Sequence, residues 1–267
     1  MANGWRAART HRTFRAMSWP VPALVLLLTL LTWAGACAPE TSTDEVLRIS
    51  AAASLGDVFG ELARTFEGAR PGTRVELNLG GSARLATQIL EGAPVDVLAS
   101  ANRAVMDGVQ EAGRLLDEPR VFARNHLVLA VPPGNPGGVE GLSDLGREDL
   151  LVGLCAPTVP CGGLAHRLLR RAGVAAAPDT EEPDVRALLT KLELGELDAG
   201  LVYATDAQAA GASVEIVPVP EASRLTTEYV VAGVLDTTHP EAARAFAAYL
   251  ISEAGQTALR RHGFRHP

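Results

Sequence analysis

The stretch VLRISAAASLGDVFGELARTFEGARPG, Val46 to Gly72, decides the fold class. It opens as a short apolar run, VLRISAAA, the pattern of a strand buried on both faces. From Ser54 the period changes to that of a helix. Leu55, Val58, Phe59, Leu62 and Phe66 share one stripe, Ser54 and Asp57 form an N-terminal capping pair, and Pro71-Gly72 stops the run. RVELNLG (74–80) then reads as a second strand. Gly80-Gly81-Ser82 turns the chain into a helix over 83–92, with Leu85, Ile89 and Leu90 facing inward, and VDVLASA (95–101) is a third strand. Strand, helix, strand, helix and strand joined by short turns predict an α/β fold, a mostly parallel sheet with helices on both faces.

The same alternation continues. HLVLAVPPGNPGG (126–138) is a strand that runs into a proline- and glycine-rich break. LLVGLCAP (150–157), AGLVY (199–203) and RLTTEYVVAGVL (224–235) add strands, with helices over 164–173 and 184–196 and a helical close over 240–264. This layout fits a second lobe inserted into the first, with the chain returning to finish lobe one. A single doubly wound domain fits it as well.

The N-terminal segment has a different character. Arg6, Arg9, Arg12 and Arg15 form a positive leader without an acid, followed by VPALVLLLTLLTWAGAC (21–37). That run is short for a membrane span and reads as a secretory signal over residues 1–36. Ala34, Gly35 and Ala36 stand directly before Cys37, as at a bacterial lipoprotein cleavage site, although Ala34 occupies a position where leucine is usual. The alternative is an ordinary signal peptide beside an unrelated cysteine. On the lipoprotein reading Cys37 is lipidated, residues 37–45 are a tether, and the protein sits outside the cytoplasm, anchored to the cell membrane. Removing the leader takes away its four arginines and moves the formal net charge from −7 to about −11, which is unsuited to nucleic acid. About 230 residues remain, enough for one large core or two smaller ones. Cys155 and Cys161 are then the remaining pair in an oxidising compartment, and a disulfide between them is expected.

In open α/β sheets, ligands gather beyond the carboxyl ends of strands, against helix N-termini. Three junctions here share that character: the strand ending at AAAS with Ser54, the strand ending at LGGS with Ser82, and the strand through Leu154 that ends in APTVPCGG. Each offers hydroxyl or backbone N–H donors at the positive end of a helix, and each could equally be a simple cap. Cys161 with His166 could form a thiol–imidazole pair or part of a metal site, but the spacing is not that of a zinc site. His262 and His266 read as solvated residues of a C-terminal tail. The chain has no paired carboxylates near a glycine-rich turn, no G-x-G-x-x-G after a strand and no phosphate loop, Lys191 being its one lysine. Neither an enzyme nor a cofactor is expected.

Taken together, ISAAASL (49–55), GSARLATQILEGAPVDVLASA (81–101), VPCGGLA (159–165), DVRALL (184–189), GLVYATDA (200–207) and the closing GF (263–264) resemble the substrate-binding proteins of ABC-type molybdate importers. The resemblance spans Arg48 to Phe264. It implies a two-lobed, type II periplasmic-binding-protein fold, each lobe a mixed, mostly parallel sheet flanked by helices, with the ligand cleft between lobes. Lobe one is then 46–123 with 232–267, and lobe two 124–231. It further implies an oxyanion site in which Ser54 and Ser82 donate from lobe one, and the Cys161 and Val185 N–H groups with the Tyr203 hydroxyl donate from lobe two. Gly80-Gly81 departs from a more serine-rich run, and Cys161 stands where alanine or serine is familiar; the contact there comes from the main chain. The ligand so implied is molybdate or tungstate, held as an oxyanion with no direct metal ligands, and the partners are an ABC permease and its ATPase, with the binding protein a monomer. A site for another tetrahedral oxyanion such as sulfate, or an enzyme using Cys161, are the competing readings.

Overall fold

Strand β1 (Glu45–Ala52) pairs in parallel with β2 (Thr73–Gly80) on one side and β3 (Val97–Ser100) on the other. The computed structural model that shows this describes residues 45–267. The expected signal peptide, Cys37 and all but the last residue of the tether therefore lie outside the described residues. Helix α1 (Gly56–Ala69) joins β1 to β2, α2 (Ser82–Leu90) joins β2 to β3, and α3 (Arg103–Glu111) follows β3. The long strand β4 (Arg120–Val131) then leads to β5 (Val152–Cys155), α4 (Pro160–Ala172), β6 (Thr180–Glu182), α5 (Val185–Glu193), β7 (Ala199–Tyr203), α6 (Ala204–Ala210), β8 (Glu215–Val217) and the short α7 (Pro220–Ser223). Strand β9 (Thr226–Gly233) leads into α8 (Pro240–Ile251) and α9 (Glu253–Arg261).

The strand order is β2-β1-β3-β9-β4-β7-β5-β6, with β8 also on β4. Both ends of the sheet are parallel. Its middle is antiparallel, because β9 runs against β3 and β4, and β4 runs against β7 and β8. Strand β4 pairs with β9 through Arg120–His126 and with β7 through Leu127–Ala130, so one strand serves two groups.

Buried apolar side chains divide the same way. One cluster draws all its members from residues 127–222. Two others draw theirs from 47–123 and 229–264. The expected α1 stripe is fully buried, and Phe59 meets Phe122 and Phe246 at ring separations of 6.1 and 5.8 Å. Burying each side chain of that stripe contributes roughly 1.5–3 kcal/mol, which is why Leu55 to Phe66 form a helix here despite Gly60.

Several local expectations need correction. Ser54 does not cap α1; it lies in a 3₁₀ turn, Ala53–Leu55, ahead of that helix. Ser82 is the first helical residue of α2 rather than its cap, which is Gly81. Leu90 is half exposed. Helix α4 starts at Pro160, four residues earlier than expected, since a proline at the first helical position leaves no N–H to satisfy. The C-terminal segment is two helices, because the Ser252 hydroxyl donates to the Tyr249 carbonyl and accepts from the Gly255 N–H, ending one helix and capping the next. His262 is no solvated tail residue: it is half-buried, with Nε2 3.1 Å from Glu61 Oε2.

Candidate functional site

The five residues singled out above come together. Ser54, Ser82, Cys161, Val185 and Tyr203 line one small cavity of about 20 Å³. That is above the roughly 10–15 Å³ one ordered water needs and far below the roughly 300–1,000 Å³ of sites for drug-sized ligands. Ser54 and Ser82 come from the β1–α1 and β2–α2 junctions, the other three from the α4 and α5 N-termini and the end of β7. The N-terminal ends of α2, α4 and α5 therefore meet at the cavity, each presenting first-turn N–H groups and the positive end of its dipole.

The donors can be followed one at a time. Ser82 Oγ accepts from the Ala101 N–H at 3.1 Å, which leaves its own proton free to donate. Ser54 Oγ and the Tyr229 hydroxyl share a 2.7 Å hydrogen bond. In α4 the Gly163 N–H is taken by the Val159 carbonyl at 2.9 Å, and Cys161 and Gly162 precede it in the same first turn. In α5 the Asp184 carboxylate accepts from the N–H groups of Arg186 and Ala187 at 2.9 and 3.1 Å, so the cap passes over Val185. Tyr203 is 1 % exposed, and its hydroxyl has no hydrogen-bond partner among the described residues. Burial pushes the Tyr203 hydroxyl well above the usual tyrosine range, with Tyr229 and Asp206 adding to it, so at neutral pH it remains a proton donor.

Among the described residues no lysine, arginine or histidine lines this cavity. The single lysine is engaged elsewhere, its Nζ 2.5 Å from Glu182 Oε1. One carboxylate does reach the wall, that of Asp184, which departs from a site built of neutral donors alone; it is turned to the helix N–H groups that it caps. Behind the wall Asp206 is buried, with Oδ1 2.9 Å from Arg186 Nε. Burial pushes its carboxyl up to about 7, against the pull of Arg186 and helped by Asp57 and Asp184.

Two features hold the second-half donors in place. Cys155, at the end of β5, and Cys161 form a disulfide with a Cα–Cα distance of 5.8 Å, closing a loop that contributes roughly 2 kcal/mol in the chain-entropy model. Gly162 lies so close to the Ala156 carbonyl that a Cβ there would overlap it. Gly81 faces the Pro183 carbonyl across the cavity mouth, where a Cβ would come within 2.6 Å. Cys161 is thus neither a free thiol nor a metal ligand, and among the described residues no group of three or more His, Cys, Asp or Glu could hold a metal ion. His166 sits half-buried on α4, and among the described residues its Nε2 has no hydrogen-bond partner. Tyr229, which sequence reasoning missed, reaches Ser54 only because β9 inserts between β3 and β4.

Comparison with known proteins places these observations. Residues 47–265 match the family model described as bacterial extracellular solute-binding protein. The chain is 39% identical over 219 residues to the molybdate-binding protein ModA of Mycobacterium tuberculosis, covering 82% of this chain and 84% of that one. Among solved structures it is similar to the Azotobacter vinelandii periplasmic molybdate-binding protein, with a TM-score of 0.70 at 21% identity over 83% of this chain and 99% of that one. It is also similar to the sulfate-binding protein SubI of M. tuberculosis, with a TM-score of 0.74 at 19% identity over 83% and 87%. The fold is that of the periplasmic binding proteins.

Proposed function

Because the chain belongs to the bacterial extracellular solute-binding protein family, we propose that it captures molybdate or tungstate outside the cytoplasm and passes it to an ABC permease driven by its ATPase. Likeness of fold does not choose between oxyanions, since the molybdate- and sulfate-binding neighbours score alike. The choice over sulfate rests on the relative that shares 39% of its residues, while the chemistry of the wall favours a fully deprotonated oxyanion over phosphate, which carries a proton. Molybdate at neutral pH is a fully deprotonated tetrahedral dianion. It accepts hydrogen bonds and donates none, which matches hydroxyl and N–H donors at helix N-termini. The observation that carries the reading is the Tyr203 hydroxyl, a buried donor at the cavity without a partner among the described residues. Left without a partner it costs the folded protein about 1–3 kcal/mol, which a bound oxyanion removes.

In this reading the cluster over 127–222 and the clusters over 47–123 and 229–264 are the cores of two lobes. These meet at the crossing strands β4, near 123/124, and β9, near 231/232, where Tyr229–Val231 already pack with the first lobe. The ion first meets Ser54 and Ser82, and the other lobe then closes with Cys161, Val185 and Tyr203. A Tyr229 hydroxyl that donates to Ser54 Oγ leaves the serine proton for the ion. The disulfide fixes the turn that aims the Cys161 N–H, so little ordering is left to binding. The protein works as a monomer, held to the membrane through a lipid on Cys37, and performs no catalysis. Calorimetric titration of the secreted form with molybdate, tungstate, sulfate and phosphate tests the assignment. Tight binding of the first two with sulfate and phosphate weak is expected; tight sulfate binding with none of molybdate overturns it.

A further inference from the structure

Arg186 follows Val185 in α5, and its side chain leaves the cavity wall to meet two carboxylates. One is Asp57 on α1, 129 residues away in sequence, hydrogen-bonded to the terminal nitrogen of the guanidinium. The other is Asp206 on α6, whose side chain is fully buried and has Oδ1 2.9 Å from Nε. Asp57 belongs to the half that carries Ser54; Arg186 and Asp206 belong to the half that carries Tyr203. Among the described residues this is the one ion pair that joins the two halves away from the crossing strands β4 and β9, the pair of Arg103 with Glu228 lying on β9 itself.

We propose that Arg186 is a positioning residue, a clasp that buried Asp206 holds in one orientation so that it can grip Asp57 and keep the cleft shut over the ion. The proposal rests on the two-lobe closure given above. The two contacts have different jobs because their surroundings differ. Asp206 is fixed on the same side of the cleft as Arg186 and is dry. Its contact with Nε is an ion pair rather than an aligned hydrogen bond, and that charge contact survives opening and orders the long arginine side chain beforehand. Asp57 is half exposed, so its contact can be made and broken at modest cost as the cleft closes and opens. The same α5 turn that offers the Val185 N–H to the ion carries the clasp, so gripping Asp57 and seating that donor are one movement.

A clasp acts on the closed state and therefore on release. With molybdate as the probe, stopped-flow measurement on Asp57→Asn is expected to show dissociation faster by roughly two- to fivefold, with association changed by less than about 1.5-fold. Asp57→Glu should restore the wild-type rate. In an Arg186→Gln background, Asp57→Asn should add nothing further, since the partner is already gone. Wild-type release in Asp57→Asn, a change confined to association, or additivity of the two substitutions would overturn the clasp. An ion-independent arm keeps this separate from the choice of ligand. Spin labels at Arg64→Cys and Glu193→Cys, both exposed, in a Cys37→Ser chain report the separation of the halves without any ion. Asp57→Asn should shift that distribution to longer distances, and an unchanged distribution rejects the clasp whatever the protein binds. Failure of the wild type to bind molybdate or tungstate, with the label shift present, rejects the ligand assignment and leaves the clasp standing.

Discussion

Gly162→Ala is expected to weaken molybdate binding by about a hundredfold. Gly162 is the third residue of α4, and the position of its Cβ is already filled by the Ala156 carbonyl. That carbonyl cannot yield freely. It accepts from the Val159 N–H at 3.1 Å, and the Ala156 N–H donates to the Glu182 carbonyl at 2.9 Å, while the disulfide ties Cys155 to Cys161 on either side of the turn. The helix start must therefore move, and with it the Cys161 N–H. Hydrogen bonds to a charged partner are worth about 1.5–3 kcal/mol each, so misdirecting one or two of them accounts for the loss. Overpacking of this kind also costs folding stability, about 1–3 kcal/mol. Titration calorimetry with thermal denaturation checks both, and wild-type affinity in this variant would show that the α4 turn does not hold the ion.

Tyr203→Phe should separate binding from stability. Among the described residues the hydroxyl makes no hydrogen bond, so its removal should leave the thermal stability of the ion-free protein unchanged or raised. Molybdate binding should nonetheless fall by about ten- to a hundredfold, because a charge-assisted hydrogen bond is lost in a site closed to water. A variant that binds as before would remove Tyr203 from the site. One that unfolds at a markedly lower temperature would show that the hydroxyl serves the fold and not the ion.

Part of this site was legible because some of its residues stand where local pattern is strong. Ser54, Ser82 and the loop through Cys161 follow the ends of strands, where period and capping signals locate a donor junction without the fold, whereas Val185 and Tyr203 were legible only through the resemblance to molybdate-binding proteins. What stayed hidden depends on pairings between distant residues. Tyr229 looks like any apolar strand residue until β9 is placed antiparallel between β3 and β4. The grip of Arg186 on Asp57 crosses 129 positions and leaves no local trace. Other misses were misread local signals. The helix after APTVPCGG was expected from residue 164, whereas Pro160 starts it, and Gly162 makes its close contact with the Ala156 carbonyl. Asn102, whose side chain accepts from the Val105 N–H, announced α3 in the usual way for a cap and was passed over. Ser54 and Ser82 were read as caps from residue type alone, and their hydroxyls instead serve Tyr229 and Ala101.

The central claim is that a tetrahedral dianion sits among neutral donors contributed by both halves. Crystals grown with tungstate, with diffraction recorded at the tungsten edge, test it most directly. The account predicts one strong anomalous peak whose oxygens lie within about 2.7–3.2 Å of the Ser54, Ser82 and Tyr203 hydroxyls and the Cys161 and Val185 nitrogens. A peak placed instead against surface arginines, with the cavity between Ser82 and Tyr203 free of tungsten, would contradict it.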